Sequence, residues 1–341
     1  MSNNIKVSVC CFAYNHEEYI RDALEGFVKQ KTNFDYEVII HDDASTDNTA
    51  KIIREYEEKY PEIIKPIYQT ENQHSKNVNK VKEFVLPIAR GKYIAFCEGD
   101  DYWIDEDKLQ LQYDYMEEHE NCSLVAHMAL TYHMDGSYYT PYTTRSFVSE
   151  EQRHISAEEI INKHTVFPTA AMFFRMDYYH HNSRFLSEVC SYDYLTKALL
   201  ATEGDVYVIP KVMSVYRFGS KGSWTNRIYK NPKQLEAHFL AAITTMEKLD
   251  EYREYKFHDA IAKNIEQRRF DTQIKLLNFK ALKNAPYKKK YYALSIKERT
   301  LLYLQKYAPF LHVLYTRTTI TIKKFLNRKT KPCMRFTERT R

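Results

Sequence analysis

The chain has 341 residues, with 50 lysine and arginine residues against 45 aspartate and glutamate residues. This length is sufficient for one large domain or two ordinary ones, and the sequence contains no recognisable nucleic-acid-binding module. The six cysteines form no C-x-x-C pair, which indicates buried thiols in a reducing compartment. Because the N-terminus lacks a signal-peptide pattern and no apolar run reaches membrane-spanning length, we expect a cytoplasmic protein.

The first hundred residues alternate between apolar β-branched runs and segments with helical periodicity. Asn15 with Glu18 predicts the start of the first helix, and Ser45 predicts the cap of the second. Strands are predicted at residues 5–12, 36–40, 63–68 and 92–97, and helices after the first strand, over about 46–59 and over about 75–90, where Pro87 should end the helix early.

This alternation predicts an α/β fold with a mostly parallel sheet and helices on both faces. Cys10 and Cys11 should point to opposite faces of the first strand. Ligands of such sheets bind outside the C-terminal ends of the strands. We therefore expect the loops at residues 12–15, 41–43 and 98–101 to converge.

The second half of the chain is less regular at first and then helical. Residues 129–165 show no clear period, whereas the residues from Pro232 onward read as helices. The intervening predictions are a helix at about 105–119 capped by Asp105, strands at 123–128 and 166–174, a helix at 193–202, and strands at 206–209 and 212–216. We accordingly divide the chain into residues 1–229 and a helical region with a basic tail, residues 230–341.

Three carboxylates, Glu98, Asp100 and Asp101, directly follow the apolar strand at 92–97. Carboxylates crowded at the end of a buried strand repel one another and lose hydration, so their presence indicates a bound cation. Mg²⁺ or Mn²⁺ is held in proteins through one or two carboxylates together with phosphate oxygens of a substrate. A diphosphate is therefore the expected bridge.

Asp42 and Asp43 form a second acidic pair at the end of the second strand. A carboxylate in this place can accept hydrogen bonds from a base N–H or a ribose hydroxyl. The two acidic clusters together predict a nucleoside diphosphate that lies across the strand ends.

Over about residues 5–220 these ordered motifs resemble the family 2 glycosyltransferases, inverting enzymes with a GT-A-type, Rossmann-like fold. Residues 7–15 are similar to the opening strand of the family, residues 41–47 to its Asp-Asp-x-Ser-x-Asp segment, and residues 98–101 to its D-x-D metal motif. Three such motifs in order at strand ends are a specific signal. The resemblance implies a transferase of bacterial cell-surface polysaccharide synthesis, such as that of a capsule.

The resemblance implies a role for most of the acidic residues already named. Asp100 would hold Mn²⁺ or Mg²⁺, assisted by Glu98, which stands where the family usually has Asp. Asp101 and Trp103 are candidates for contact with the acceptor or the sugar, although Trp103 equally suits a packing anchor and Asp101 equally suits fixing the loop. The implied nucleotide-binding residues are Ala13, Tyr14, Asn15, Asp42, Asp43 and Asp100.

Catalysis also requires a base that deprotonates the acceptor hydroxyl. Asp193 resembles the base motif of the family, and its alternative role is that of a plain helix cap. Residues 216–224 resemble the Tyr-Arg segment that closes over the donor, so Arg217 and then Lys221 are the predicted phosphate-binding residues. Many relatives carry His where this chain has Gly219.

The basic C-terminal end needs a separate interpretation. Residues 321–341 contain eight lysine and arginine residues and one acidic residue, Glu338. Apolar residues alternate with basic ones over 301–326, which favours an amphipathic segment on an anionic membrane surface, although a solvated tail is an alternative.

The sequence thus predicts a metal-dependent inverting glycosyltransferase that uses a UDP-sugar and a glycan or lipid-linked acceptor. It would be cytoplasmic, and peripheral on the inner face of the cell membrane if the basic end binds lipid. Two alternatives stay open: a catalytically silent glycan-binding or scaffold protein on the same fold, and a sugar nucleotidyltransferase. The second would need a Gly-rich phosphate loop after the first strand, which residues 12–18 lack.

Overall fold

The computed structural model describes residues 5–76, 79–134, 138–142, 154–163, 167–182, 185–186, 193–221 and 231–329. Ten strands form one sheet. The strands are β1 (Ile5–Ala13), β2 (Asp35–Asp42), β3 (Ile64–Tyr68), β4 (Tyr93–Glu98), β5 (Tyr102–Trp103), β6 (Cys122–His133), β7 (Tyr138–Pro141), β8 (His154–Ile155), β9 (Phe173–Arg175) and β10 (Asp205–Phe218).

Helices cover both faces of this sheet and continue to the C-terminal end of the described chain. They are α1 (Ile20–Val28), α2 (Thr49–Lys59), α3 (Lys108–Glu118), α4 (Ala157–Asn162), α5 (Met176–His181), α6 (Asp193–Ala201), α7 (Pro232–Tyr252), α8 (His258–Lys275), α9 (Phe279–Leu282), α10 (Lys288–Ala293), α11 (Ile296–Tyr307) and α12 (Pro309–Lys329). Within the described ranges no helix is long and apolar enough to cross a membrane.

The sheet has the strand order β3-β2-β1-β4-β9-β6-β10-β5, with β7 beside β6 and β8 beside β10. The first four strands in this order are parallel, as the alternation of strands and helices predicted. The other half is mixed, since β9 runs antiparallel to both of its neighbours while β6 and β10 are parallel. The α/β fold with flanking helices is therefore confirmed.

The two faces of the sheet carry separate apolar cores. Cys11 belongs to the cluster under α1, α2 and α3, whereas Cys10 belongs to the cluster that includes residues of α4, α6, α7 and α8. The predicted opposite orientation of these two cysteines is confirmed. Met246 and Ile261, from α7 and α8, lie in the second core, so the helical region packs directly on the sheet.

Several helix starts differ from the sequence prediction. α1 begins at Ile20 without a side-chain cap, because the backbone N–H groups of Tyr19 and Ile20 donate to the carbonyl of His16 in a preceding turn. Asn15 is therefore not its cap. Ser45 likewise does not cap α2, which begins at Thr49.

Further differences concern helix α3 and two predicted elements. α3 begins at Lys108, and Asp105 instead accepts a hydrogen bond from the backbone N–H of Asp107. The helix predicted over about 75–90 is reduced to a 3-10 turn at His74–Lys76 and a π-helical turn at Val81–Val85. In place of the strand predicted at 166–174 the described residues form a 3-10 turn, Thr169–Ala171, and the short β9.

Candidate functional site

The carboxyl ends of β1, β2 and β4 meet at one edge of the sheet. In the strand register Ala13 pairs with Asp42, and Phe12 pairs with Glu98. The backbone N–H of Asp43 donates to the carbonyl of Ala13 at 2.9 Å, and the N–H of Gly99 donates to the carbonyl of Phe12 at 2.9 Å. The predicted convergence of the three loops is therefore confirmed.

Asp42 and Asp43 are both almost fully buried at this edge. Asp42 accepts a 2.5 Å hydrogen bond from the hydroxyl of Ser45, and burial raises the pKa of the Asp42 carboxyl. Asp43 accepts backbone N–H bonds from Gln73 at 2.7 Å and from His74 at 3.1 Å. The Asp43 carboxylate thus fixes the loop after β3. The sequence did not predict this contact.

The loop after β1 is shaped by Asn15, whose φ of 55° lies in the left-handed region. The side-chain oxygen of Asn15 accepts a hydrogen bond from the backbone N–H of Thr46 at 2.8 Å. The backbone N–H of Asn15 donates to the hydroxyl of Ser45 at 2.9 Å. Tyr14 is half-buried beside it, and Ala13 is buried. The predicted nucleotide-binding segments are therefore joined to each other by direct hydrogen bonds.

Glu98, Asp100 and Asp101 have different surroundings. Burial, together with the negative charges of Asp100 and Asp193, raises the pKa of Glu98 to about 7. Asp101 is buried and accepts a 2.8 Å hydrogen bond from the backbone N–H of Arg217, and burial raises its pKa well above the usual range. Asp101 therefore fixes the loop, which is the second of its two predicted roles.

Arg217 lies beneath the acidic loop with only 8% of its surface exposed. Its guanidinium donates to the backbone carbonyl of Asp100 at 2.8 Å and forms an ion pair with Asp22. The guanidinium also lies over the ring of Tyr102, with 4.3 Å to the ring centroid. These contacts occupy the side chain that the sequence assigned to phosphate binding.

The segment that follows β10 turns back to the acidic loop. The hydroxyl of the buried Ser220 donates to Oδ2 of Asp100 at 2.7 Å. The ammonium group of Lys221 is largely exposed and lies 3.7 Å from Oε1 of Glu18. Unlike Arg217, Lys221 keeps most of its side chain open to solvent beside this ion pair.

Asp193 is the first residue of α6 and exposes 60% of its side chain. Its Oδ1 accepts a 2.6 Å hydrogen bond from the backbone N–H of Tyr194, and its Oδ2 lies 3.8 Å from Nζ of the buried Lys197. Because its charge acts on Glu98, Asp193 belongs to the same electrostatic cluster although about a hundred residues separate the two.

Trp103 does not face this cluster. It is 3% exposed, its indole N–H donates to the carbonyl of Ala170 at 3.0 Å, and its ring contacts Phe27 edge-on. The prediction that Trp103 contacts the acceptor or the sugar is corrected by this geometry, because a ring packed in the core offers no face to a ligand. Its alternative role as a packing anchor is the one observed.

The carboxylates suit a hard divalent cation if a substrate completes the coordination. Glu98 and Asp100 supply oxygen ligands of the type that Mg²⁺ and Mn²⁺ prefer. Burial, with the charges of Asp100 and Asp193, raises the pKa of Glu98, and a bound cation would offset this penalty on the charged form. Among the described residues, no group of three or more His, Cys, Asp and Glu side chains is placed to hold a metal ion. A cation here would need phosphate oxygens.

Three residues that the sequence analysis did not select complete the site. Asp22 forms the ion pair with Arg217, and Ser220 donates the hydrogen bond to Asp100. The ammonium of Lys80 lies 3.5 Å from the buried carboxylate of Asp43. Ser220 lies in the segment already selected for Arg217. Asp22 and Lys80 carry no local signal, because each finds its partner only through the fold.

Residues 8–181 match the family described as "Glycosyl transferase family 2". The match covers about half of the chain, and together with the acidic strand ends it establishes that the chain belongs to this family. The fold is likewise of the GT-A type.

Parts of the chain are similar to curated bacterial proteins. The chain is 34% identical to the uncharacterized protein Rv1520 of Mycobacterium tuberculosis over 218 residues, which are 64% of this chain and 60% of that protein. It is 36% identical to the "UDP-Glc:alpha-D-GlcNAc-diphosphoundecaprenol beta-1,3-glucosyltransferase WfaP" of Escherichia coli over 33% of this chain and 41% of that protein. The chain thus spans less than two thirds of the length of either relative.

Two solved structures share the fold at low sequence identity. One is S. aureus TarS 1-349 in complex with UDP-GlcNAc, with a TM-score of 0.60, 18% identity and coverage of 88% of this chain and 87% of that one. The other is the mannosyltransferase PcManGT from Pyrobaculum calidifontis in complex with GDP-Man and Mn²⁺, with a TM-score of 0.51, 18% identity and coverage of 94% and 86%.

Proposed function

We propose that this chain is an inverting glycosyltransferase that moves a hexosyl or related sugar from a UDP-sugar to a hydroxyl group of a glycan or lipid-linked acceptor in cell-surface polysaccharide synthesis. The observation that carries the proposal is the meeting of Asp42, Asp43 and Asp100 at one edge of the sheet in a family 2 chain. The UDP-linked sugars that WfaP and the TarS complex are named for support a UDP-sugar donor.

The donor would lie across the strand ends. In this proposal, Asp42 and the loop at 13–15 recognise the nucleoside, and Asp43 shapes the neighbouring loop through its bonds to Gln73 and His74. The diphosphate then extends toward Asp100. Lys221, with its exposed ammonium group, is better placed for a phosphate than the buried Arg217.

Mn²⁺ or Mg²⁺ would be held by Asp100, with Glu98 as a second carboxylate and diphosphate oxygens completing the coordination. When bound, such a cation supplies Lewis-acid stabilisation of the charge on the departing diphosphate. The Mn²⁺ named for the PcManGT complex supports this choice. Ser220 positions Asp100 by donating to its carboxylate, and Arg217 does so by donating to its backbone carbonyl.

The proposed base is Asp193. A new bond forms between the acceptor oxygen and the anomeric carbon, the bond from that carbon to the diphosphate oxygen breaks, and its electron pair leaves with UDP. The acceptor proton passes to the Asp193 carboxylate. Because Asp193 is largely exposed, the acceptor can reach it from solvent.

We further propose that residues 1–229 bind the donor and catalyse transfer, while residues 230–341 bring the chain to the inner face of the cell membrane. A lipid-linked acceptor would be met there. The basic composition of the last residues supports this placement.

The test is UDP release from a panel of UDP-sugars with Mn²⁺ or Mg²⁺, with and without a lipid-linked glycan acceptor. We expect Asp100→Ala to abolish metal-dependent release and Asp193→Ala to abolish acceptor-dependent release while donor binding persists. Glu58→Ala, on an exposed residue of α2, serves as the matched control. Native-strength, metal-dependent donor binding in Asp100→Ala would contradict the metal assignment, and an unchanged rate in Asp193→Ala would assign the base elsewhere.

A further inference from the structure

The last two helices leave a large apolar surface uncovered. α11 contains no buried residue, and none of the described side chains of α12 is buried. Phe310 is 76% exposed and Leu314 is 53% exposed. The exposed large apolar residues of this pair, called here the α11–α12 face, are Ile296, Tyr303, Tyr307, Phe310, Leu311, Val313, Leu314 and Tyr315.

α11 attaches this pair of helices to the rest of the protein, whereas Phe310, Leu311 and Leu314 of α12 stay at least half exposed. α11 is attached through the ring of Tyr303, which stacks on Phe279 at 4.4 Å, and through Lys306, whose ammonium donates to the carbonyl of Leu277 at 2.7 Å. α12 in turn packs on α11. Large exposed apolar side chains grouped on one helix, as on α12, are typical of a site of interaction.

Charge decides which partner fits. From Arg299 to Thr337 the chain has 39 residues with no aspartate or glutamate and nine lysine or arginine residues. A second copy that presented the same segment would therefore bring cations against cations, which opposes association through this face. An anionic lipid surface offers negative headgroups to the basic residues of this segment and acyl chains to its exposed apolar residues.

We propose that the α11–α12 face docks on an anionic lipid bilayer, with Phe310 and Leu314 at the boundary between headgroups and acyl chains and Arg317 at the level of the phosphates. In this proposal α12 lies along the membrane surface, with its exposed apolar side chains toward the acyl chains. This inference deepens the proposed function, because it names the structural element that would bring the enzyme to a lipid-linked acceptor.

The test is co-sedimentation of the full chain with vesicles of phosphatidylcholine alone or of phosphatidylcholine with phosphatidylglycerol. We expect partition onto the anionic vesicles only, with a loss at high salt. Phe310→Ser with Leu314→Ser should lower the partition coefficient by about tenfold or more, and Lys297→Gln with Arg317→Gln should lower it by about tenfold at low salt.

Matched controls come from other parts of the surface. Leu240, on α7, is 63% exposed, and Lys51 and Lys263 are exposed on α2 and α8. Leu240→Ser and the pair Lys51→Gln with Lys263→Gln should keep the native partition coefficient. Circular dichroism and UDP release without lipid should be native in all variants, because every substituted side chain is exposed.

Equal binding to both vesicle types, native binding by the Phe310 and Leu314 variant, or an equal loss in the Leu240 control would overturn the proposal. A dimer in sedimentation velocity that the Phe310 and Leu314 variant dissolves would assign the face to a second copy and overturn it as well. Anionic-vesicle binding without UDP release from any donor would instead contradict the proposed function and leave the docking surface intact.

Discussion

The hydroxyl of Ser220 donates a 2.7 Å hydrogen bond to Oδ2 of Asp100 and so connects the end of β10 with the acidic loop after β4. Ser220 is fully buried, which restricts the directions in which the Asp100 carboxylate can point. If Asp100 holds a metal ion, this bond orients a ligand that must keep its geometry as substrate enters and leaves.

Ser220→Ala tests this orientation. The bond is worth about 0.5–1.5 kcal/mol, so its loss should raise the Mn²⁺ concentration for half-maximal UDP release by roughly 2- to 10-fold. Titration of activity with Mn²⁺ at saturating donor measures the change, and Ser220→Thr should restore part of it. A native Mn²⁺ dependence in Ser220→Ala would show that the bond does not orient a metal ligand.

Arg217 should behave as a structural positioning residue. Arg217→Ala removes the ion pair with Asp22, the bond to the Asp100 carbonyl and the stacking on Tyr102, so we expect the free energy of unfolding to fall by about 2–4 kcal/mol. Asp22→Ala should cost about 2 kcal/mol, because it leaves the buried guanidinium with one partner fewer. Urea unfolding measures both losses.

A comparison with donor binding separates this role from phosphate binding. Arg217→Lys keeps the positive charge but not the planar guanidinium, so it should lose much of the contribution that Arg217 makes to the free energy of unfolding. Lys221→Gln, on an exposed side chain, should keep native stability and weaken UDP binding. Native stability of Arg217→Ala together with weak UDP binding would reinstate Arg217 as the phosphate ligand.

Much of the parallel half of the fold could be predicted because apolar periodicity directly reflects burial. The strand ends at Asp42 and Glu98 follow from this periodicity, and so does their convergence. Helix starts could not be predicted in the same way. Asn15 and Ser45 have the composition of caps, but their side chains bond to Thr46 and Asp42 across the loop.

The acidic residues at the strand ends could be selected from the sequence, whereas the residues that hold them in place could not. Asp100 was selected because it follows a buried strand, and Asp193 because it resembles the base motif of the family; their roles stay predictions. Trp103 was ambiguous, because an aromatic residue behind an acidic loop gives no indication of which way its ring points. The ion pair between Arg217 and Asp22 joins residues 195 positions apart, so only the folded chain reveals it.

Gly26 should be required by the close approach of α1 to the strand behind the acidic loop. A Cβ atom at this position would lie 2.8 Å from the carbonyl oxygen and 3.1 Å from the backbone nitrogen of Trp103. Backbone atoms of a buried strand cannot move aside as a flexible side chain can. The preference of helices for Ala, about 1 kcal/mol, is therefore outweighed.

We expect Gly26→Ala to lower the free energy of unfolding by about 1–3 kcal/mol and to reduce UDP release, since α1 must shift against β5. Thermal unfolding and activity measure the two effects. Leu111→Ala, on the exposed face of α3, provides a comparison that should change neither by much. Increased stability of Gly26→Ala would mean that α1 and β5 separate without cost.

Acid stability should depend on His127, which is fully buried in β6. Its Nδ1 lies 2.9 Å from the carbonyl oxygen of Met128, so the neutral ring donates there. Burial, with a smaller effect from the charge of Lys108, lowers the pKa of His127 to about 3, against 6.5 for an ordinary histidine. The folded chain therefore keeps this ring neutral where an unfolded chain would protonate it.

The sign of the effect follows from proton uptake. Below pH 6.5 the unfolded state binds a proton at this position and the folded state does not, so the free energy of unfolding falls as the pH falls from about 6.5 toward 3. The loss attributable to His127 should be on the order of 3 kcal/mol at pH 4. His41, whose pKa burial lowers to about 4, contributes with the same sign.

His127→Gln removes the titrating group at this position and should flatten the decline between pH 6.5 and 4, while its altered packing lowers stability at pH 7. Urea unfolding at half-unit pH intervals measures the slope, so the packing loss cancels from the comparison. His180→Gln, on an exposed residue of α5, should leave the slope unchanged. A native slope in His127→Gln would mean that the ring is already protonated in the folded chain or that acid lability arises at other groups.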